Sequence, residues 1–251
     1  MHKLIFNLKK EYGKDFFNNL DAAVFESANN TLPLIVNLLK PQSVVDLGCG
    51  QGAWLKVFQE LGVKKILGVE GEYVKGLKTY IPKENFQFHD LQKEFITDQR
   101  FDLAISLEVG EHLKTESSQT FIKSLCNLSD IILFSAAIKG QEGTMHINEQ
   151  LPEYWSALFK NNNFVPIDWV RPKIWNNKNI LVWYRQNIIL YANETVLTNL
   201  PPDIQSCQQN TYGNYLFRIH PELYFNILKR KYPFHFTNYW WNKFKRSFKK
   251  Y

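Results

Sequence analysis

Val44-Val45-Asp46-Leu47-Gly48-Cys49-Gly50-Gln51-Gly52-Ala53-Trp54 is the stretch on which the reading of the fold turns. Its valines read as the end of a short buried strand. Ala53 to Leu61 reads as an amphipathic helix, with Gly62 where a helix C-cap would be. Between them stand three glycines. Glycine lets a backbone turn tightly and approach a ligand closely, and donors at the start of the next helix can meet a polar or anionic group. The dinucleotide fingerprint is G-x-G-x-x-G. Here Gly48, Gly50 and Gly52 are spaced two and two, and position 53 is Ala. That spacing disfavours a nicotinamide-dependent oxidoreductase.

Strand and helix signals alternate outward from this loop. Lys65 to Val69, Asn85 to His89, Phe101 to Leu107 and Asp130 to Ala136 read as strands, and Ser117 to Leu128 and Leu151 to Asn161 as helices. The alternation predicts an α/β fold with a doubly wound, largely parallel sheet. Phe164 to Val170 and Ile180 to Tyr191 read as two closing strands. With no helix signal between them, they predict an antiparallel hairpin. Residues 1–41 read as two helical pieces. Tyr12, Phe16, Phe17 and Leu20 recur at helical spacing in the first, as a lid or as a core-packing face. Thr31 enters the second, with Pro33 in its first turn. The organisation read this way is a helical segment at 1–41, a core at 42–192, a polar linker or loop at 193–219 that could pack on the body, and a tail at 220–251.

Acidic residues complete the picture. Glu70 ends the second strand, where a carboxylate can accept hydrogen bonds from both hydroxyls of a ribose. Val44 to Trp54 resembles motif I of the class I S-adenosylmethionine (SAM)-dependent methyltransferases, Val69-Glu70-Gly71 their ribose-binding motif, and His89-Asp90-Leu91 their adenine-binding motif. Phe101 to Leu113 resembles motif IV. The resemblance covers roughly residues 40 to 191 and implies a seven-stranded sheet with its last strand antiparallel. It implies SAM as cofactor, held by Asp46, Gly48, Gly50, Gly52, Trp54, Glu70, Gly71, Asp90, Leu91 and Leu107. Glu70 would hold the ribose hydroxyls and Asp90 the adenine amino group. Asp102 reads as a turn residue rather than a ligand.

The fourth strand runs into Leu107-Glu108-Val109-Gly110-Glu111-His112-Leu113. If a helix begins at 109, Glu108, Glu111 and His112 share a face. His146 follows the fifth strand, and in a doubly wound sheet the loops after strands four and five border one crevice. Glu108, Glu111, His112 and His146 together suit Mg²⁺, Mn²⁺ or Zn²⁺. Two other readings stand beside a metal site: His112 or His146 as a metal-free acid/base, and a loop histidine with structural partners only. The pattern is similar to that of small-RNA terminal 2′-O-methyltransferases, whose Glu-x-x-Glu-His and later His hold a divalent ion, and to the Glu-x-x-Glu-His of ubiquinone-pathway O-methyltransferases. Around His146 the chain departs from the RNA enzymes. Ser135-Ala-Ala-Ile-Lys-Gly, then His146-Ile-Asn-Glu-Gln and Trp155, looks more like bacterial methyltransferases grouped with sugar and cell-surface polysaccharide enzymes.

A metal on two adjacent hydroxyls would orient a diol and lower its pKa, which favours a sugar-like or catechol-like acceptor. Trp169, Arg171, Trp175, Asn176, Asn177, Trp183, Tyr184, Arg185, Gln186 and Asn187 form an aromatic and amide-rich set in the closing hairpin, suited to sugar contact or to packing. The leading expectation is a metal-assisted O-methyltransferase acting on a sugar or glycan hydroxyl. An RNA ribose 2′-O-methyltransferase and a non-catalytic SAM-binding adaptor are the rivals.

Charge sets the tail apart. The chain carries +6 overall, but residues 220–251 hold eight Lys or Arg and one acid, so 1–219 sum to −1. Trp240 or Trp241, Phe244 and Phe248 fall on one face at helical spacing, with Lys243, Lys245, Arg246, Lys249 and Lys250 elsewhere. Such a segment could pack on the body or another copy, lie on an anionic membrane through residues 234–251, or hold a nucleic-acid backbone. Cys49, Cys126 and Cys207 have no metal-ligand spacing and fit reduced thiols. Without a signal-like or membrane-spanning apolar run, a cytoplasmic protein, peripheral at the membrane through its tail, is expected.

Overall fold

The structure, a computed structural model, describes residues 14–213 and 215–231. Seven strands form one sheet: β1 Ser43–Leu47, β2 Lys65–Glu70, β3 Phe86–Phe88, β4 Leu103–Leu107, β5 Ile131–Ser135, β6 Phe164–Ile167 and β7 Ile189–Asn193. Their order is β3-β2-β1-β4-β5-β7-β6. The β1, β2, β3, β4 and β5 pairings are parallel, and β7 runs antiparallel to both β5 and β6. The sheet is therefore doubly wound and reverses direction of build between β1 and β4, the place where such sheets open a crevice at their carboxyl ends.

Both faces are covered, as a parallel sheet requires. On one, Val44, Leu103, Ile105 and Leu133 pack with Leu55 and Phe58 of helix α2 (Ala53–Glu60) and with Ala28, Leu32 and Ile35 of helix α1 (Lys14–Leu39). On the other, Val45, Ala104, Ile132 and Phe134 pack with Phe121 and Leu125 of α3 (Ser118–Leu128) and with Trp155 and Phe159 of α4 (Pro152–Lys160). The alternation of Val44 and Val45 between these two clusters is the period of two of a strand buried on both sides.

Three expectations are corrected. Residues 14–39 form one helix, not two pieces, and Pro33 lies inside it. An interior proline forfeits one backbone bond, but Leu32 and Ile35 on either side are buried and hold the helix to the sheet. Thr31 is thus mid-helix and buried, not a cap. The side-chain part of the lid reading, on Tyr12, Phe16 and Phe17, lies outside the described residues. Next, β6 and β7 are not joined by a hairpin. Two short helices, α5 Arg171–Ile174 and α6 Val182–Asn187, stand between them, although the antiparallel pairing is present. Third, residues within 193–219 pack on the body, as one of the readings had it, but with helices of their own rather than as a loop. A 3₁₀ helix at Glu194–Asn199 leads to α7, Pro202–Gln209, with Pro202 at its start. Leu200, Ile204 and Leu216 are buried in the two cores.

The chain divides into two compact units, Met1–Phe217 and Arg218–Tyr251. The second contains helix α8, Pro221–Lys231. Among the described residues no helix is long and apolar enough to cross a membrane.

A candidate methyltransferase site at the carboxyl ends of β1 and β4

The glycine loop leaves β1 with Gly48, Gly50 and Gly52 all in the left-handed region, at φ 92°, 55° and 88°. A side chain on Gly48 would collide with Val109, and one on Gly52 would crowd Ile81. The loop is tied to β2, where Gly48 N donates to Val69 O at 2.8 Å and Gly50 N to Glu70 Oε2 at 2.8 Å. Glu70 Oε1 accepts from Gly71 N at 2.8 Å and from the Tyr73 hydroxyl. Burial holds the Glu70 carboxyl above its ordinary range even against these donors. Asp46, at the end of β1, is buried beside it, and burial followed by the Glu70 charge pushes its carboxyl well up. Trp54, in the first turn of α2, is buried with its indole N–H unpartnered and stands edge-on to Tyr184 at 5.1 Å. Gly71, Asp90 and Leu91 lie along the ends of β2 and β3. Asp90 Oδ1 accepts from Gln92 N at 3.1 Å, and Leu91 is buried. Asp102 serves the turn before β4, accepting from Gln42 N at 2.7 Å and Ser43 N at 2.9 Å.

At the end of β4, Leu107 is buried and Glu108 adopts φ 57°, a conformation that non-glycine residues keep only when their surroundings impose it. Glu108 N donates to Ser135 O at 3.0 Å and Ser135 Oγ at 3.1 Å. Its carboxylate accepts from Asn187 Nδ2 at 3.1 and 3.3 Å and from Gln141 Nε2 at 3.2 Å. The following turn is a single 3₁₀ turn, Gly110–His112, rather than the start of an α-helix.

This turn faces the loop after β5. One ligand atom each from Glu111, His112 and His146 lie within 4.8 Å of one another. Glu108 is outside that group, held by its amide partners. The two imidazoles meet edge to face with centroids 4.9 Å apart. Glu111 is completely buried, and neither carboxyl oxygen has a well-formed hydrogen bond, although the Ala137 N–H, its own N–H and the Glu108 carboxyl lie close enough to act on it. Burial, with the Glu108 charge adding to it, pushes that carboxyl well above its usual range. His112 is pulled down to about 4, by burial first and by His146 second, so it is neutral with a lone pair at physiological pH. His112 Nδ1 lies 3.3 Å from Met145 O, and His146 Nδ1 lies 2.8 Å from Glu149 Oε1. A buried carboxyl flanked by two imidazoles is a donor set that fits a divalent cation.

The turn and the loop are stapled together. Ile147 N and Asn148 N both donate to Glu111 O, at 2.9 and 3.0 Å. Asn148 Nδ2 donates to Gly110 O at 3.3 Å and Ser118 Oγ at 3.0 Å, while its Oδ1 accepts from Thr115 at 2.8 Å. Tyr73 and Gln141 escaped the sequence reading, and Ser135, Asn148 and Glu149 entered it only within stretches quoted for a resemblance, with no role at the site. Of the closing aromatic and polar set, Asn187 and Tyr184 reach this region. Arg171 is instead structural, bidentate to Asp168 at 2.7 Å and donating to Leu216 O at 2.8 Å.

A methyltransferase-domain family matches residues 21–167, more than half of the chain. The chain belongs to this family. Its fold agrees: the bacterial CtHen1-C methyltransferase domain is 16% identical over 67% of this chain and 97% of its own, with a TM-score of 0.50. Magnesium protoporphyrin IX methyltransferase from Synechocystis PCC 6803, with bound S-adenosylhomocysteine, is 18% identical over 75% of this chain and 94% of its own, at 0.50. A chain of the Haloferax volcanii complex between the Trm112 methyltransferase activator and a putative methyltransferase is 12% identical, over 74% and 96%, at 0.52. A comparison with proteins of curated function found no match. Family and fold together make this a class I SAM-dependent methyltransferase.

Proposed function

We propose that this methyltransferase transfers the SAM methyl to a hydroxyl of a sugar or glycan, assisted by a divalent cation at Glu111, His112 and His146, with Glu108 beside them. The observation that carries the proposal is the convergence of those three groups within 4.8 Å around a buried carboxyl. A buried carboxyl without well-formed hydrogen bonds is costly, and a chain that keeps one just after β4 has a use for it. A cation bound there would act as a Lewis acid on an acceptor hydroxyl and orient a neighbouring one.

SAM would lie over Gly48, Gly50 and Gly52, with its ribose hydroxyls on Glu70 next to Gly71 and its adenine near Asp90 and Leu91. Its methionine part would run past Asp46 and Trp54 toward Leu107. In the transfer the methyl carbon–sulfur bond breaks with its electron pair left on sulfur, and a carbon–oxygen bond forms to the acceptor. With the cation bound, both imidazoles are ligands, and the acceptor proton leaves to solvent from a hydroxyl that the cation would make more acidic; without a cation, His112 or His146 would be the base. Most of the remaining acceleration is alignment of the oxygen in line with the carbon–sulfur bond. An RNA ribose offers the same paired hydroxyls and is the second reading, but residues 1–219 carry only −1 net, a poor surface for phosphates. A non-catalytic adaptor would have no need of the buried donor set. The basic residues within 234–251, which lie outside the described residues, would bring the enzyme to an anionic membrane bearing lipid-linked acceptors.

The test is a panel of sugar, glycan and RNA acceptors with labelled SAM, run with and without chelator. His146→Ala is expected to lower turnover at least ~100-fold while SAM affinity stays within about twofold. Chelation should reproduce that loss, and Mg²⁺ or Mn²⁺ should restore the wild type but not the variant. Full turnover in excess chelator would remove the cation from the proposal.

A further inference from the structure

Glu149 stands three residues beyond His146 and gathers its loop around one carboxylate. Oε1 lies 2.8 Å from His146 Nδ1 and accepts from Glu142 N at 2.6 Å, and Oε2 accepts from Gly140 N at 2.8 Å. The side chain is only 16% exposed. Glu142 and Met145 both sit at φ 59°, in the left-handed region that costs a non-glycine residue about 1 kcal/mol or more. Something must over-determine such a loop, and the three groups converging on Glu149 show what does. The backbone meets the far edge of the ring as well: a Cβ on Gly143 would lie 2.3 Å from His146 Nε2, so that edge lies close against the chain there. Neutral imidazole carries its lone pair on one nitrogen only, and the hydrogen bond at the other nitrogen decides which. His112 shows the same arrangement in weaker form, its Nδ1 facing the Met145 carbonyl at 3.3 Å.

We propose that Glu149 is a positioning residue for methyl transfer: its carboxylate holds His146 as the Nδ1–H tautomer, so that Nε2 is the nitrogen with the lone pair. The proposal rests on the reading of His146 as a working group of the site. It holds whether that lone pair meets a cation or an acceptor proton, because both require a fixed nitrogen. Partners of this kind change ligand affinity or turnover by roughly 10- to 100-fold when removed.

The experiment is long-range ¹H–¹⁵N correlation of the histidine-labelled full chain in chelator at pH 8, without acceptor. Wild-type His146 should show the Nδ1–H pattern. Glu149→Ala should move it toward the Nε2–H form that free imidazole prefers, and Glu149→Gln, which keeps a carbonyl acceptor, should retain the wild-type pattern. Turnover should fall at least ~10-fold in Glu149→Ala and recover substantially in Glu149→Gln, with S-adenosylhomocysteine affinity within about twofold throughout. An Nε2–H ring in the wild type overturns the proposal even if Glu149→Ala fails to fold, and so does an unchanged tautomer in a folded Glu149→Ala. The tautomer is read without metal or substrate, so its failure is distinct from failure of the proposed function, which would appear as full turnover in His146→Ala.

Discussion

Gly50 sits at φ 55° with its N–H on Glu70, so any side chain there is strained and projects from the loop that would cradle SAM. Gly50→Val should weaken SAM binding at least ~100-fold, about 2.7 kcal/mol; calorimetry with S-adenosylhomocysteine checks this, and unchanged affinity would sink the cofactor assignment. Glu111 makes the opposite kind of prediction. Its carboxyl is held well above the ordinary range by burial and by Glu108, so the native state keeps a proton that the unfolded chain releases above about pH 4.3. The stability this group contributes is full below that pH and is lost as pH rises toward the folded value. Glu111→Gln should therefore stabilise the chelator-treated protein by about 1–2 kcal/mol at pH 8, and by less at pH 5, while abolishing turnover. A melting temperature that differs equally from wild type at both pH values would contradict this. At this scale the sequence was legible where spacing alone carries meaning, as in the three glycines and Glu70. It was silent on Gln141 and named Asn187 only for sugar contact or packing, because the bonds they make to Glu108 span 33 and 79 residues. Nothing local marks an amide as the partner of a carboxylate so far away.

Elements were legible in proportion to the strength of their periodicity. Strands β1 to β5 are short apolar runs bounded by turn residues, and the sheet they imply is the sheet observed. Helix α6 was read as strand because Val182-Trp183-Tyr184 has strand composition, and six residues give too little helical period to outweigh it. The loop after β5 has no periodicity at all, and its packing against the Gly110–His112 turn rests on backbone bonds from Ile147 and Asn148 to Glu111 O and on the side chain of Asn148. That side chain is buried and bonds Gly110, Thr115, Ser118 and Gln150. Asn148→Ala should cost about 2–3 kcal/mol, since it leaves several buried partners unmet, and should lower turnover while leaving the cofactor half of the crevice alone. Urea denaturation together with a S-adenosylhomocysteine titration separates the two effects. Cofactor affinity falling in parallel with turnover would mean that the loop supports the whole crevice.

For the whole molecule the deciding property is the distribution of charge between the two compact units, Met1–Phe217 and Arg218–Tyr251. All the excess positive charge falls in residues 220–251, whereas the sheet, the glycine loop and the Glu111–His112–His146 group belong to the first unit. The boundary is sharper than composition suggested, because Leu216 is still buried in the main core and Phe217 N donates to Glu153 at 2.8 Å. A chain ending at residue 219 keeps those contacts and should bind SAM within about twofold of the full chain. What it should lose is attraction to anionic surfaces, since each Lys or Arg near such a surface contributes about 1 kcal/mol. The full chain should sediment with phosphatidylserine-containing vesicles, less so as salt shortens the reach of its charges, and not with phosphatidylcholine alone. Vesicle binding retained by the truncated chain would move the contact to the first unit. A truncated chain that fails to fold would make the tail part of the core, and the +7 it carries would then be a feature of the folded surface rather than of a separable arm.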